Sequence, residues 1–144
     1  MTYKIHQAVV IGSGTMGAAI AAHLANAGVP VTLLDIVPEG ATEKAARNKI
    51  VNEGWDRCLK AKPANLMSAE LKTFVKLGNL EDDFGVVAEA DWVCEAIVEN
   101  LKIKQALMAR IDEIRKPNAI VSTNTSGIPV YAIAEGRSKE FKKH

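Results

Sequence analysis

Apolar positions in this chain switch repeatedly between a continuous run and a helical period. Residues 8–11, Ala-Val-Val-Ile, form a short run expected to be a buried strand. Over 15–27, Met16, Ile20 and Leu24 recur every fourth position with alanines between them, which predicts a helix closed by Gly28. Residues 31–34 predict a second strand ending in Asp35, and Pro38 and Gly40 mark the loop after it. A helix capped by Thr42 is expected to reach Lys60 on Ile50, Val51, Trp55 and Leu59, weakened at Gly54 and stopped by Pro63. Ser68 predicts a capped turn, 75–79 alternates like a short strand, and 81–84 starts a helical turn leading to 88–90. Strands are then expected at 92–98 and 119–122, with an amphipathic helix over 101–115 between them. A last short helix over 128–135 carries Pro129 in its first turn.

Strands alternating with helices predict an α/β fold: a Rossmann-type doubly wound parallel sheet with helices on both faces, residues 1–144 forming one domain. Ligands of such sheets bind beyond the carboxyl ends of the strands. The positions to search for chemistry are therefore 12–17, 35, 95–104 and 123–127.

The first of these is Gly12-Ser-Gly14-Thr15-Met16-Gly17, a G-x-G-x-x-G turn between a strand and a helix. Such a turn aims backbone N–H groups and the positive end of the helix dipole at an anion, typically a pyrophosphate. Gly12 permits the turn, Gly14 lets the phosphates approach and Gly17 lets the helix pack on the strand. Gly12, Gly14, Thr15, Met16 and Gly17 are thus the candidate cofactor-binding turn. Asp35 closes the second strand eighteen positions after Gly17. A carboxylate there accepts from a ribose diol and repels a 2′-phosphate, so the expected cofactor is NAD and not NADP.

Composition narrows the class further. The 144 residues allow one core, apolar content is 48%, and a net charge of +1 gives no reason to expect nucleic acid as a partner. No run approaches the length needed to span a bilayer, and the N-terminus lacks a signal-peptide pattern. Cys58 and Cys94 lie far apart without metal or redox spacing, which points to a reducing compartment; no metal site is expected and a cytoplasmic location is.

Two polar segments follow strands. Glu99-Asn100 precedes the fourth major helix, with Lys104 about one turn into it, so Glu99 and Lys104 could face a cofactor. Thr123-Asn124-Thr125-Ser126-Gly127 offers hydroxyls and an amide that can orient a nicotinamide and a substrate oxygen. A solvated helix start and a plain capped loop are the bland alternatives.

Gly12-Ser-Gly-Thr-Met-Gly17, Glu95-Ala-Ile-Val-Glu-Asn100-Leu-Lys-Ile-Lys104 and Ser122-Thr-Asn-Thr-Ser126 together resemble the NAD-binding domain of L-3-hydroxyacyl-CoA dehydrogenases of fatty-acid β-oxidation. The phrases at 22–30 and 35–38 look most like bacterial forms fused to an enoyl-CoA hydratase-like region. The resemblance implies NAD as cofactor and an acyl-CoA substrate. It implies that Asp35 holds the adenine ribose, that Glu99, Lys104 and Asn124 line the nicotinamide half, and that Ser126 bonds the substrate 3-oxygen as the catalytic contribution of this chain. Residues 42–62 would match a projecting hairpin that helps hold CoA, with Lys60 and Lys62 as candidates for its phosphates. The family's next segment is His-Phe-Phe-Asn-Pro, whose histidine is the base, and it is absent from these residues. His144 does not match that motif. The expectation is therefore the first part of a longer enzyme, oligomeric through a helical C-terminal domain, with no turnover from residues 1–144 alone. A related 3-hydroxybutyryl-CoA or hydroxyacid dehydrogenase is an alternative, as is a non-catalytic nucleotide-binding or redox-sensing module.

Overall fold

A computed structural model describes residues 4–144. Five parallel strands form the sheet: β1 Ala8–Ile11, β2 Val31–Asp35, β3 Val75–Asn79, β4 Trp92–Glu95 and β5 Ile120–Thr123. Their spatial order is β3-β2-β1-β4-β5, so the chain crosses from one side of β1 to the other after β3. Ile11 lies beside Leu34 on one side and Glu95 on the other, which aligns the carboxyl ends of the three central strands. The crevice between β1 and β4 is the switch point where such sheets take ligands.

The helices are α1 Thr15–Asn26, α2 Lys44–Arg47, α3 Lys49–Lys60, α4 Leu101–Ile114 and α5 Val130–Ile133. Alternate residues of β1 serve opposite faces. Ala8 and Val10 pack with α1 and α3, including Ala18, Ala21, Val51 and Trp55. Val9 and Ile11 pack with Leu107, Met108 and Ile111 of α4 and Ile133 of α5. Among the described residues, no helix is long and apolar enough to cross a membrane.

Three expectations change. In α1 the buried face is Gly17, Ala18, Ala21, Ala22, Leu24 and Ala25, while Met16 is exposed. Small side chains let the helix approach the strand closely, so the alanines form most of its core face; of the expected stripe only Leu24 is buried, Ile20 packs at the edge and Met16 is exposed. The helix expected from Thr42 to Lys60 is two helices broken at Asn48, and Glu43, not Thr42, sits at its start. Arg47 ends the short piece by reaching across to Asp82 and Glu81 beyond β3, and Asn48 accepts a hydrogen bond from Asn79. Those contacts tie the break to the end of β3. Strand β4 stops at Glu95, earlier than 98, because Ile97 gives its N–H to the Glu95 side chain and not to a neighbouring strand.

Gly54 is also explained by packing. A side-chain carbon there would run into the carbonyl, hydroxyl and β-carbon of Ser13. The glycine lets α3 lie directly on the first turn.

Candidate functional site

The three glycines of the turn have different surroundings. Gly12 has φ 105°, and a side chain on it would strike the Ala96 carbonyl, so it serves both the turn and the close passage of the segment after β4. A side chain on Gly17 would strike the Gly12 carbonyl, which fixes how closely α1 meets β1. Gly14 has no protein atom within 4 Å of where a β-carbon would sit, and its φ of −64° needs no glycine. Packing and backbone geometry thus account for Gly12 and Gly17 and leave Gly14 facing open space.

Gly14 is also the N-cap of α1 and offers no side-chain acceptor to the helix. Helix geometry leaves the first N–H groups without backbone partners. Thr15 and Met16, the first two residues of α1, are both exposed. The result is a positive helix end, uncapped, with room in front of it.

Asp35 ends β2 beside this turn. Its Oδ2 accepts from the Ser13 amide at 2.6 Å and the Ser13 hydroxyl at 2.5 Å, and its Oδ1 accepts from the Ile36 amide at 2.7 Å. It lines a cleft of about 490 Å³ whose floor holds Gly12 and Gly14 and whose walls include Ile36, Val98, Ile103 and Leu107. Apolar walls, one carboxylate and an uncapped helix end suit the adenosine and pyrophosphate parts of a dinucleotide. Arg110 borders the cleft, stacks 4.0 Å above the Phe84 ring and donates to the Leu80 carbonyl at 2.7 Å. These residues fit NAD: the turn leaves open space at Gly14 in front of the uncapped start of α1.

The β4–β5 side is built differently. Lys104 is fully buried and donates to Glu95 Oε1 at 2.6 Å and to the Ile97 carbonyl at 3.4 Å. Glu95 is equally buried, takes the Ile97 amide on Oε1, and takes the Thr123 hydroxyl on Oε2 at 2.6 Å. Its carbonyl accepts from the Asn124 amide at 2.7 Å. One carboxylate therefore joins β4, β5, α4 and the loop after β4. Glu99 is about half exposed, lies 3.9 Å from the Lys104 ammonium and accepts from the Thr125 hydroxyl at 2.7 Å. Asn100 caps α4, its side-chain oxygen accepting from the Ile103 amide at 3.1 Å. Asn124 and Ser126 are exposed at the end of β5. Lys60 is exposed at the last turn of α3, with Lys62 just beyond it.

The structure thus gathers Gly12, Gly14 and Asp35 around one cleft and sets Glu99, Asn124 and Ser126 at the carboxyl edge of β4 and β5. Lys104 lies beneath that edge. Two residues of the site were not singled out from the sequence, Glu95 and Ser13. Glu95 could have been flagged as an acid inside the apolar run Val93-Cys-Glu-Ala-Ile97, which calls for a buried cation. Ser13 carries no such signal, since any small residue satisfies the turn.

A family model described as "3-hydroxyacyl-CoA dehydrogenase, NAD binding domain" matches residues 7–143. A probable 3-hydroxyacyl-CoA dehydrogenase of Bacillus subtilis is 48% identical over the whole chain, which spans 20% of that protein. One from Deinococcus radiodurans is 48% identical over 97% of the chain and is spanned to 40% of its length. The crystal structure of an Escherichia coli 3-hydroxybutyryl-CoA dehydrogenase superposes with a TM-score of 0.73 at 31% identity, covering 95% of this chain and 28% of that one. With a parallel sheet in the order β3-β2-β1-β4-β5, an uncapped glycine turn and a match over 7–143, the chain belongs to the family of NAD-binding domains of 3-hydroxyacyl-CoA dehydrogenases.

Proposed function

We propose that residues 1–144 are the NAD-binding unit of an enzyme that interconverts L-3-hydroxyacyl-CoA and 3-ketoacyl-CoA in fatty-acid oxidation. The observation that carries the reading is Gly14, a glycine with no protein neighbour at the uncapped start of α1, beside an apolar cleft that ends in Asp35. The N–H groups of the turn hold the pyrophosphate, and Asp35 accepts from the adenine ribose. Bound NAD supplies a hydride acceptor. Asn124 and Glu99 border the nicotinamide half, and Lys104 supports that border from below. Ser126 donates a hydrogen bond to the substrate 3-oxygen, a contact that strengthens as charge develops there. Lys60 is the residue of this chain proposed to meet a CoA phosphate.

Removing the hydroxyl proton needs a base, which contributes roughly 10²–10⁴-fold in rate. Ser126 cannot serve without a partner that takes its proton. The resemblance assigns that role to a histidine of a segment these residues do not contain. The test compares the 144-residue chain with the longer protein in which it occurs. The chain should bind NADH in a fluorescence titration and fail to reduce acetoacetyl-CoA, and the longer protein should do both. In the longer protein, Ser126→Ala should lower kcat more than it raises KM. Turnover by the chain alone at the longer protein's rate would place the base within residues 1–144 and overturn this division of roles.

A further inference from the structure

Asp35 does not face the cleft as a free carboxylate. Three donors hold it, and two of them, an amide and a hydroxyl, come from Ser13 in the middle of the glycine turn. A carboxylate has about four acceptor positions, so this arrangement leaves little for a ligand except at the cleft edge of Oδ1. The Ser13 side chain is itself almost fully buried. Its oxygen lies 2.5 Å from Asp35 Oδ2 and 3.3 Å from the Ile50 carbonyl of α3. A hydroxyl has one proton, and the shorter contact to the charged acceptor takes it. Gly54 of α3 covers the hydroxyl so closely that no side chain fits between them. The hydroxyl is therefore walled in by α3 and aimed at Asp35.

Packing does not explain a serine here, because glycine or alanine would fill the turn without a polar atom to satisfy. The geometry points to Ser13 as a positioning residue: its buried hydroxyl fixes the angle at which Asp35 meets the adenine ribose, and so sets the preference for a free 2′-hydroxyl over a 2′-phosphate. This rests on the NAD reading of Asp35 given above. A carboxylate held still keeps its charge where a 2′-phosphate would sit. One that can turn about its side-chain bonds swings away from that phosphate and relaxes the selection.

The test is a calorimetric titration of the full 144-residue chain with NADH and with NADPH. Wild type, Ser13→Ala, Asp35→Ala and the double variant are compared. Wild type should prefer NADH. Ser13→Ala should reduce the ratio of NADH to NADPH affinity roughly tenfold, the scale of a lost hydrogen bond to a charged group. In the Asp35→Ala background the same change should alter the ratio by less than about twofold, since Ser13 acts through that carboxylate. A role confined to packing would weaken both cofactors together and leave the ratio where it was. If Ser13→Ala does not fold, Ser13→Cys, with its weaker donor, should lower the ratio in the same direction. A wild type that prefers NADH with either Ser13 variant folded and equally selective overturns the inference. Equal affinity of wild type for NADH and NADPH would instead overturn the reading of Asp35 itself.

Discussion

Two helices begin at the carboxyl edge of this sheet after central strands, and they begin in opposite ways. Helix α1 starts at Gly14, with no side chain bonded to its N-terminal amides and open space in front. Helix α4 starts at Asn100, whose side chain closes the end by accepting from Ile103. The charge near α1 is a carboxylate lining a cleft. The charge inside the first turn of α4 is Lys104, sealed against Glu95 with neither residue exposed. Helix dipoles are alike, so what distinguishes the two ends is whether the sequence has left the donors open. The β1–α1 end leaves its helix amides open, while its carboxylate is held by Ser13 and Ile36. The β4–α4 end uses its electrostatics on itself and serves as a rigid wall.

The largest expected effect tests that wall. Lys104→Met removes the cation and leaves Glu95 buried with only neutral donors. Breaking a buried pair on one side typically costs about 3–5 kcal/mol. Urea denaturation should show a loss of that order, and Glu95→Gln added to Lys104→Met should recover most of it, since the glutamine oxygen still accepts from the Ile97 amide and its NH2 can donate to the Thr123 hydroxyl, which turns to accept. A single variant as stable as wild type would mean that the wall does not depend on the pair.

Gly17→Ala tests the packing side of the first turn. The added carbon meets the Gly12 carbonyl, backbone that cannot move without opening the turn. A cost of about 1–3 kcal/mol is expected, as for other overpacked sites. A melting temperature within error of wild type would show that α1 can slide away from β1.

Much of this contrast was legible in the chain. The strand positions followed from short apolar runs, and the order of strands and helices implied the parallel sheet. The glycine spacing and Asp35 marked one end of the crevice. What periodicity could not show was which polar residues satisfy each other. Lys104 reads as a lysine one turn into a helix that could face a cofactor, yet four residues from a cap is also where a side chain turns back beneath the preceding loop, and Glu95 lies there. Likewise Gly54 reads as a weak point in a helix and is the place where two elements touch. The break at Asn48 depends on Arg47 meeting Asp82 and Glu81, partners more than thirty residues away. Such long-range pairings leave no local trace.

Asn100→Ala is expected to cost about 1 kcal/mol by removing the cap of α4. The prediction sharpens the comparison because NADH affinity should change little. A fall in affinity as large as that caused by altering the α1 turn would mean that both helix ends serve the ligand.

The opposite edge of the sheet supplies a control that depends on pH. Asp91 accepts from the Lys116 ammonium and from the His6 and Gln7 amides, holding the start of β1. The hydrogen bond from Lys116, helped by those amides, keeps its carboxyl below the ordinary aspartate value. A depressed folded pKa contributes stability above the unfolded value of about 3.9 and loses it as pH falls through the folded one. Acid denaturation followed by circular dichroism should therefore be shallower for Asp91→Asn below about pH 4, while NADH affinity at neutral pH stays the same. Equal acid sensitivity in the two proteins would remove Asp91 from the account.

The smallest expected change in stability comes from making α1 begin as α4 does. Gly14 already has the extended conformation of an N-cap, with ψ −176°, and a side chain there meets nothing. Gly14→Asp should therefore cap the helix and place a negative charge at its positive end. The gain over glycine is a few tenths, about 0.3 kcal/mol. The same carboxylate takes the donors and the space that a pyrophosphate needs, and it adds like charge where two phosphates must lie. Stability should hold or rise slightly while NADH binding is lost, a pairing that damage to the fold cannot produce. Thermal melting and NADH titration on one preparation read both. If the variant binds NADH as wild type does, the open end of α1 is not where the cofactor's phosphates sit, and the contrast between the two helix starts has no bearing on binding.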